Sequence, residues 1–274
     1  MEAGDVFFSK PAPSLSSPVP LELCFLISHS DSFPSLLSLY ICYKSGGEKK
    51  APMCGRFTLT TDLDHIAERF SLRMANVAFT PHYNIAPSQP VLTVMNDGKE
   101  NRAGFLRWGL IPSWAKEASI GNRMINARAE TLAEKPSFKR ALQRRRCLIV
   151  ADGFYEWKAE GKKKTPMFIA LRSHESFGFA GLWETWKSPT GEPVHSCTII
   201  TTTPNALIET IHNRMPVIVP REAEAVWLDR TVDDPQKLLP LLVSYSDSEM
   251  TAYEVSLLVN SPKNDVPACI EPVQ

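Results

Sequence analysis

A cysteine that directly follows a methionine is the residue of this chain best suited to covalent chemistry. Met53 precedes Cys54, and Gly55, Arg56 and Phe57 follow. If translation starts at Met53 and that residue is removed, Cys54 carries a thiol and an α-amine on adjacent carbons. Their reference pKa values, about 8.5 and about 7.7–8.0, leave both groups partly deprotonated near neutral pH. One aldehyde can then condense with the amine and the thiol. The amine forms an imine, and the sulfur closes it to a five-membered thiazolidine. An internal cysteine has no free α-amine and cannot form this product.

The first 52 residues differ in composition from the rest of the chain. They are rich in serine and proline, and they contain no arginine. They lack the basic start of a secretory signal, the arginines of a transit peptide and the roughly 18 apolar residues of a membrane span. We interpret residues 1–52 as a mispredicted start, a propeptide or a disordered appendage, and residues 53–274 as the functional domain. No membrane partner is expected.

Overall charge and cysteine usage exclude several classes of protein. Thirty basic residues balance 30 acidic ones, so no field of the whole molecule marks nucleic acid as a partner. The six cysteines form no CxxC pair and have no closely spaced histidine, which argues against a zinc site. No ATP, metal or nicotinamide motif is present. We therefore expect neither a cofactor nor a metal.

Strand-like patterns predominate after Met53, and hairpin-like connections join them. Asn96-Asp97-Gly98 is a hairpin turn signal between two strand patterns, and Val255–Val259 is predicted to be the final strand. No long alternation of strands and helices occurs. This organisation predicts an α+β fold: a single domain with a curved, barrel-like, mainly antiparallel sheet flanked by short helices.

Six short segments combine polar or charged residues with rigid, aromatic or proline-rich surroundings. They are Met53–Phe57, Tyr83–Pro87, Trp108–Ala115, Ile125–Thr131, Asp152–Trp157 and Ile211–Pro216. Taken together and in this order, they resemble the SOS response-associated peptidase family, whose members process abasic sites in DNA. The resemblance covers the chain from Met53 to about Pro272, and members of the family typically start with Met-Cys-Gly-Arg.

The resemblance implies a specific covalent chemistry. Family enzymes crosslink to the aldehyde of an abasic deoxyribose in single-stranded DNA through their mature N-terminal cysteine, which is Cys54 here. Asn126 matches the asparagine that orients the terminal group of the cysteine. Glu156 matches the carboxylate that transfers protons, and burial between Tyr155 and Trp157 is expected to raise its pKa. His212 matches the histidine that assists imine chemistry and ring opening, and its ordinary pKa suits proton transfer near pH 7.

The predicted DNA contacts are of two kinds. The resemblance implies that Arg56 and Arg128 fall at positions that hold phosphates, and the arginine fork matches phosphate geometry. Trp108 and Trp114 are candidates for stacking against bases, which tolerates any base sequence. Asn84 completes the predicted DNA-binding set. The expected partner is single-stranded DNA that contains abasic sites, bound by a monomer in the cytoplasm of a bacterium, in association with the nucleoid.

The residues taken alone allow other interpretations. Asn126 suits a helix cap, Glu156 suits an ion pair with Lys158, and both tryptophans suit a core.

Two other functions stay open. One is an N-terminal-nucleophile cysteine peptidase that cleaves its own leader, with Cys54 assisted by Glu156 and His212. The other is a non-catalytic reader of single-stranded or modified DNA.

Overall fold

Thirteen strands and five α-helices form the part of the chain that the computed structural model describes, residues 55–72 and 79–273. Cys54 and residues 1–52 lie outside the described residues. The strands are β1 (Phe57–Leu59), β2 (His82–Ile85), β3 (Pro90–Asn96), β4 (Asn101–Trp108), β5 (Asn126–Arg128), β6 (Arg146–Ala151), β7 (Gly153–Glu160), β8 (Lys163–Leu171), β9 (Phe177–Lys187), β10 (Pro193–Thr202), β11 (Met215–Pro216), β12 (Ile218–Val219) and β13 (Met250–Glu254). The α-helices are α1 (Leu63–Arg69), α2 (Pro136–Arg144), α3 (Ala206–Glu209), α4 (Arg221–Leu228) and α5 (Pro235–Leu238). Short 3₁₀ turns cover Ala118–Arg123, Ala129–Thr131, Leu239–Leu241, Asp247–Glu249, Leu257–Asn260 and Pro267–Cys269.

One sheet closes on itself into a barrel. Its strands follow the order β10, β4, β3, β6, β9, and β9 pairs with β10 again to complete the ring. Neighbours in the ring are antiparallel except for β10 and β4, which are parallel. Strand β5 adds a second parallel pairing to β10. Closure leaves the ring strands without free edges, and the short strands β5, β11 and β12 attach at its ends.

The second sheet is antiparallel throughout and packs against the barrel. Its strand order is β13, β8, β7, β1, β2. The Phe57 ring of β1 lies 5.1 Å from the Trp108 ring of β4 and 5.8 Å from the Phe179 ring of β9. All three side chains are fully buried, so an aromatic cluster joins the two sheets. The α+β prediction with a barrel-like, mainly antiparallel sheet is therefore confirmed.

Two local predictions had opposite outcomes. The turn at Asn96–Gly98 is present between β3 and β4, and Gly98 has a φ of +100°, which glycine adopts without strain. The predicted strand Val255–Val259 is wrong. The last strand within the described residues is β13, which pairs with β8, and a 3₁₀ turn capped by the Ser256 hydroxyl follows it. Strand β8 is already paired on both sides, with β7 and β13, so the run forms a turn in which Val255 and Val259 are buried and Leu257 is 64% exposed.

Among the described residues, no helix is long and apolar enough to cross a membrane. No cluster of His, Cys, Asp or Glu in the same ranges is arranged to hold a metal ion. Cys147 and Cys197 are fully buried free thiols, and burial raises the pKa of each well above its ordinary value. These two thiols are therefore protonated and poorly reactive.

Candidate active site

The N-terminal strand lies beside the strand that carries Glu156. Phe57 pairs with Phe154 across β1 and β7, and the Tyr155 N–H donates to the Arg56 carbonyl at 3.0 Å. Continuing this antiparallel register places Gly55 opposite Glu156. Side chains alternate along a strand, so Glu156 lies on the same face of β7 as Phe154, whose ring contacts Phe179 of the barrel. Glu156 is 3% exposed, and the alternation places it on the face of β7 that packs against the barrel.

Trp108 connects β1 to the strand that carries Asn126. Its indole N–H donates to the Ile125 carbonyl at 2.9 Å, while its ring contacts Phe57. Asn126 follows Ile125 as the first residue of β5, and it is half-buried. Trp108 is fully buried. Its ring therefore offers no surface for a DNA base, and its position is that of a core residue.

His212 lies in the turn between α3 and β11. Its Nδ1 atom is 3.2 Å from the Arg214 amide nitrogen and 3.3 Å from the Arg214 carbonyl oxygen. Burial lowers the pKa of His212, the positive charge of Lys164 lowers it further, and the contact with the Arg214 backbone partly offsets both. His212 is therefore mainly neutral at pH 7. Lys164 is the second residue of β8, the return strand of the β7–β8 hairpin, so the hairpin that carries Glu156 approaches this histidine.

An arginine fork joins the His212 turn to the end of β5. Both terminal nitrogens of Arg214 donate to the Glu130 carboxylate, one of them at 2.9 Å, and Nη2 also donates to the Thr201 carbonyl at 2.7 Å. The hydrogen bond from Arg214 is the main cause that lowers the pKa of Glu130. Glu130 lies two residues after Arg128, whose side chain is exposed. The segments that carry Asn126, Arg128 and His212 therefore meet at one end of β10.

Arg56 and Asn84, predicted to contact DNA, are turned inward. Arg56 is 9% exposed and Asn84 is 1% exposed. Arg56 Nη1 donates to Asn84 Oδ1 and to the Val259 carbonyl, both at 2.6 Å, and the guanidinium lies 5.8 Å from the centre of the Trp157 ring. The contacts of both side chains in this structure are with other parts of the protein.

Trp114 is the predicted DNA contact with the most open surface. Its side chain is 62% exposed. The loop that carries it is held on both sides, because the Ile111 N–H donates to Ser196 Oγ at 2.8 Å and the Trp186 indole donates to the Ala115 carbonyl at 2.6 Å. Trp186 is 5% exposed. Sequence reasoning did not single out Trp186, since it is distant in sequence from the loop and belongs to no motif.

A carboxylate anchors the opposite end of β1. Asp152 accepts hydrogen bonds from the Thr58 hydroxyl at 2.5 Å, from the Thr60 N–H at 2.5 Å and from the Thr61 N–H at 2.9 Å. The hydroxyls of Thr60 and Thr61 add two further bonds at 2.8 and 3.1 Å. Asp152 was also missed as a positioning residue. The sequence did contain a signal for this role, because Asp152 directly precedes Gly153 in the motif that contains Glu156.

Comparisons with known proteins identify relatives of this chain. The model of the SOS response associated peptidase (SRAP) family matches residues 53–262. The abasic site processing protein YoqW of Bacillus subtilis is 55% identical over 222 residues, which cover 80% of this chain and 99% of that protein. The abasic site processing protein HMCES of Gallus gallus is 33% identical over 229 residues, covering 72% of this chain and 67% of that protein.

Among solved structures, a crystal structure of a protein from Bacteroides thetaiotaomicron is similar to this chain with a TM-score of 0.74 and 26% identity. The match covers 81% of this chain and all of the other. A phage-related protein from Bordetella bronchiseptica has a TM-score of 0.61 and 26% identity over 78% of this chain. The resemblance carried by the six sequence segments is thus confirmed, and the chain belongs to the SOS response associated peptidase family.

Proposed function

We propose that this protein processes abasic sites in DNA by forming a covalent crosslink through Cys54, acting as the first residue of the mature chain. Relatives from Bacillus subtilis and Gallus gallus are named abasic site processing proteins. The register of β1 carries the proposal, because it sets Gly55 opposite the buried Glu156. Gly55 directly follows Cys54 in the sequence, which supports the choice of Cys54 as the nucleophile that works with Glu156.

The proposed reaction joins one aminothiol and one aldehyde with loss of one water. The α-amine of Cys54 adds to the aldehyde of the ring-opened deoxyribose and forms a carbinolamine. Glu156 in its protonated form donates to the hydroxyl group, which leaves as water, and the nitrogen lone pair forms the imine. The imine formed in this way is protonated on nitrogen. The Cys54 thiol gives its proton to the Glu156 carboxylate, its sulfur adds to the imine carbon, and the C=N π electrons return to the nitrogen, which keeps its proton. The product is a five-membered thiazolidine that links the protein to the sugar.

Asn126 and His212 have supporting roles in this proposal. The Asn126 amide is suited to orient the terminal amine by hydrogen bonding. The lowered pKa of His212 favours the neutral imidazole, which accepts a proton better than it donates one at pH 7. We therefore assign to His212 the removal of the C1′ hydroxyl proton, which it passes to the ring oxygen as the sugar opens to the aldehyde, and to Glu156 the proton that leaves with water.

Single-stranded DNA is the proposed partner. The exposed Trp114 ring suits stacking on a base, which contributes roughly 1–3 kcal/mol per base and tolerates any base sequence. The exposed Arg128 lies beyond Asn126 on the same strand and suits a phosphate contact. We include in the proposal that the protein is a monomer whose mature chain begins at Cys54, within the domain of residues 53–274. We also include that it works in the bacterial cytoplasm, in association with the nucleoid.

Intact-mass spectrometry tests the function directly. The protein purified from its own cells is measured before and after incubation with an abasic single-stranded oligonucleotide. A mass that starts at Cys54, with a DNA adduct that survives denaturation, is the expected result. Acetylation of the α-amine and the C54S substitution should each abolish the stable adduct. A stable adduct that persists after acetylation would contradict the thiazolidine mechanism.

The same samples separate the alternatives. The family name supports a peptidase that acts on its own leader, and that activity predicts that C54S retains residues 1–52 while the unmodified protein loses them. A non-catalytic reader predicts that C54S binds and protects abasic DNA as well as the unmodified protein does. Loss of the leader in both proteins, together with an adduct in the unmodified one only, would exclude both alternatives.

A further inference from the structure

The chain after β13 folds back over the N-terminal strand and its neighbour β2. We call residues 257–270 the C-terminal segment. Asn84 of β2 meets this segment with its amide nitrogen, which lies 2.6 Å from the Asn264 carbonyl, 3.0 Å from the Ser261 carbonyl and 3.3 Å from the Val259 carbonyl. The amide oxygen of Asn84 accepts from Arg56 at 2.6 Å. Asn84 therefore joins β2, the C-terminal segment and the residue directly before β1 through one side chain.

A carboxylate of the C-terminal segment binds the backbone of β2. Asp265 Oδ1 accepts from the Tyr83 N–H at 2.5 Å and from the Asn84 N–H at 3.0 Å. Its other oxygen lies 2.6 Å from His82 Nδ1. These bonds attach the segment to the outer side of β2, whose opposite edge pairs with β1.

Arg56 extends the network to β7. Its Nη1 atom donates to the Val259 carbonyl as well as to Asn84, and its guanidinium lies over the Trp157 ring. The Trp157 indole donates to Asn260 Oδ1 at 2.7 Å. The side chain of Arg56, two positions after Cys54, is thus held between the C-terminal segment and the hairpin that carries Glu156.

We propose that Asn84 and the C-terminal segment form a clasp that positions the N-terminal nucleophile, so that Asn84 is a positioning residue and not a DNA contact. This inference rests on the proposed function. The geometry requires an amide at position 84, because one end must donate to carbonyls while the other accepts from a guanidinium. The short N-terminal strand has only three residues, so contacts from Arg56 constrain the direction in which the chain continues toward Cys54.

The test compares substitutions of Asn84 with a matched asparagine elsewhere. N84D keeps the size of the side chain but sets carboxylate oxygen against the carbonyls, and N84A removes all the bonds. N101D is the control, because Asn101 also joins separate elements, donating to the Phe70 carbonyl at 2.9 Å and accepting from Asn96 at 2.9 Å, at the end of β4 opposite Trp108. All variants are compared with the unmodified protein by thermal unfolding.

Two readouts distinguish positioning from DNA contact. The first is the crosslinking rate constant at saturating abasic oligonucleotide. The second is the Kd for an oligonucleotide with a tetrahydrofuran abasic analogue, which has no aldehyde. We expect N84D and N84A to lower the rate at least about tenfold, since a misplacement of about 1 Å can cost on the order of 100-fold, and to change the Kd less than about twofold. N101D should leave both values unchanged.

Hydrogen–deuterium exchange gives a readout that does not depend on crosslinking. The clasp predicts faster exchange of the peptide that begins at Gly55 in the Asn84 variants but not in N101D. A weaker Kd with an unchanged saturated rate would overturn the inference and make Asn84 a DNA contact. Equal rate losses in N84D and N101D, or unchanged exchange at Gly55–Leu59, would overturn it as well. If the unmodified protein forms no crosslink, the proposed function fails, and the exchange comparison alone decides the clasp.

Discussion

Replacing Trp108 by phenylalanine separates a core role from a DNA-stacking role. The indole is fully buried, contacts Phe57 and donates to the Ile125 carbonyl. W108F keeps an aromatic ring but removes the N–H donor and part of the volume. We therefore expect W108F to reduce the free energy of unfolding and to leave the affinity for single-stranded DNA nearly unchanged.

The loss of unfolding free energy expected for W108F is the sum of two contributions, the unfilled volume and the lost hydrogen bond. The unfilled volume costs on the order of 1 kcal/mol, because the surroundings relax only partly around a truncated core side chain. The Ile125 carbonyl also accepts from the Ile199 N–H at 3.0 Å, so it keeps one partner, and the lost bond costs about 1 kcal/mol. The sum is about 2 kcal/mol. Because Asn126 follows Ile125 directly, the crosslinking rate should fall with the stability.

Urea unfolding and fluorescence anisotropy with the tetrahydrofuran oligonucleotide provide the two measurements. W114A is the matched control with the opposite expectation, because the Trp114 side chain is 62% exposed. Its unfolding free energy should change by less than about 0.5 kcal/mol, whereas its DNA affinity should fall by roughly 1–3 kcal/mol, the usual range for one stacked base. A W108F protein of unchanged stability and at least tenfold weaker DNA binding would refute the assignment of Trp108 to the core.

Three further predictions concern protonation, anchoring and the Trp114 loop. NMR titration should give His212 a pKa below 6.5, from burial, and His65 a pKa above 6.5, from its hydrogen bond to Asp62. Because folding lowers the pKa of His212, the neutral imidazole contributes to stability above about pH 6.5. This contribution is lost as the pH falls toward the lowered pKa. An H212Q protein with the same pH dependence of stability would contradict this expectation. D152A should lose about 3 kcal/mol of unfolding free energy, because the backbone and hydroxyl donors at the end of β1 and in the turn after it lose a charged acceptor. A loss below about 1 kcal/mol in urea unfolding would show that water replaces the carboxylate as acceptor. W186F removes the hydrogen bond to the Trp114 loop and also part of a buried side chain. It should therefore weaken binding of the tetrahydrofuran oligonucleotide severalfold and lower the unfolding free energy by about 2 kcal/mol. Unchanged binding would show that the loop needs no such support.

Local sequence patterns predicted the fold class and one hairpin but not the last strand. The residue types of Asn96-Asp97-Gly98 suffice to predict the turn, because glycine readily adopts the positive φ that Gly98 has in the structure. Val255–Val259 has the composition of a strand, yet a strand needs a partner edge. Strand β13 occupies the edge of β8, and the apolar run after it turns away with Leu257 exposed.

The sequence by itself determined which residue types are available for the chemistry. A cysteine after a methionine, a carboxylate between aromatic residues, and a histidine beside an arginine are local facts, and together with their order they identified the family. The proposed roles of Cys54, Asn126, Glu156 and His212 remain predictions of that kind.

Only the tertiary structure decided which of the singled-out side chains face solvent. Trp108 and Trp114 lie six positions apart in one motif, and yet one is in the core and the other is on the surface. Arg56 and Asn84 have the residue types of phosphate and base contacts, but they bind each other and the Val259 carbonyl, which lies 203 residues after Arg56 and 175 residues after Asn84. Burial and hydrogen-bond partners of this kind depend on which distant strands and turns meet, and no local pattern specifies that.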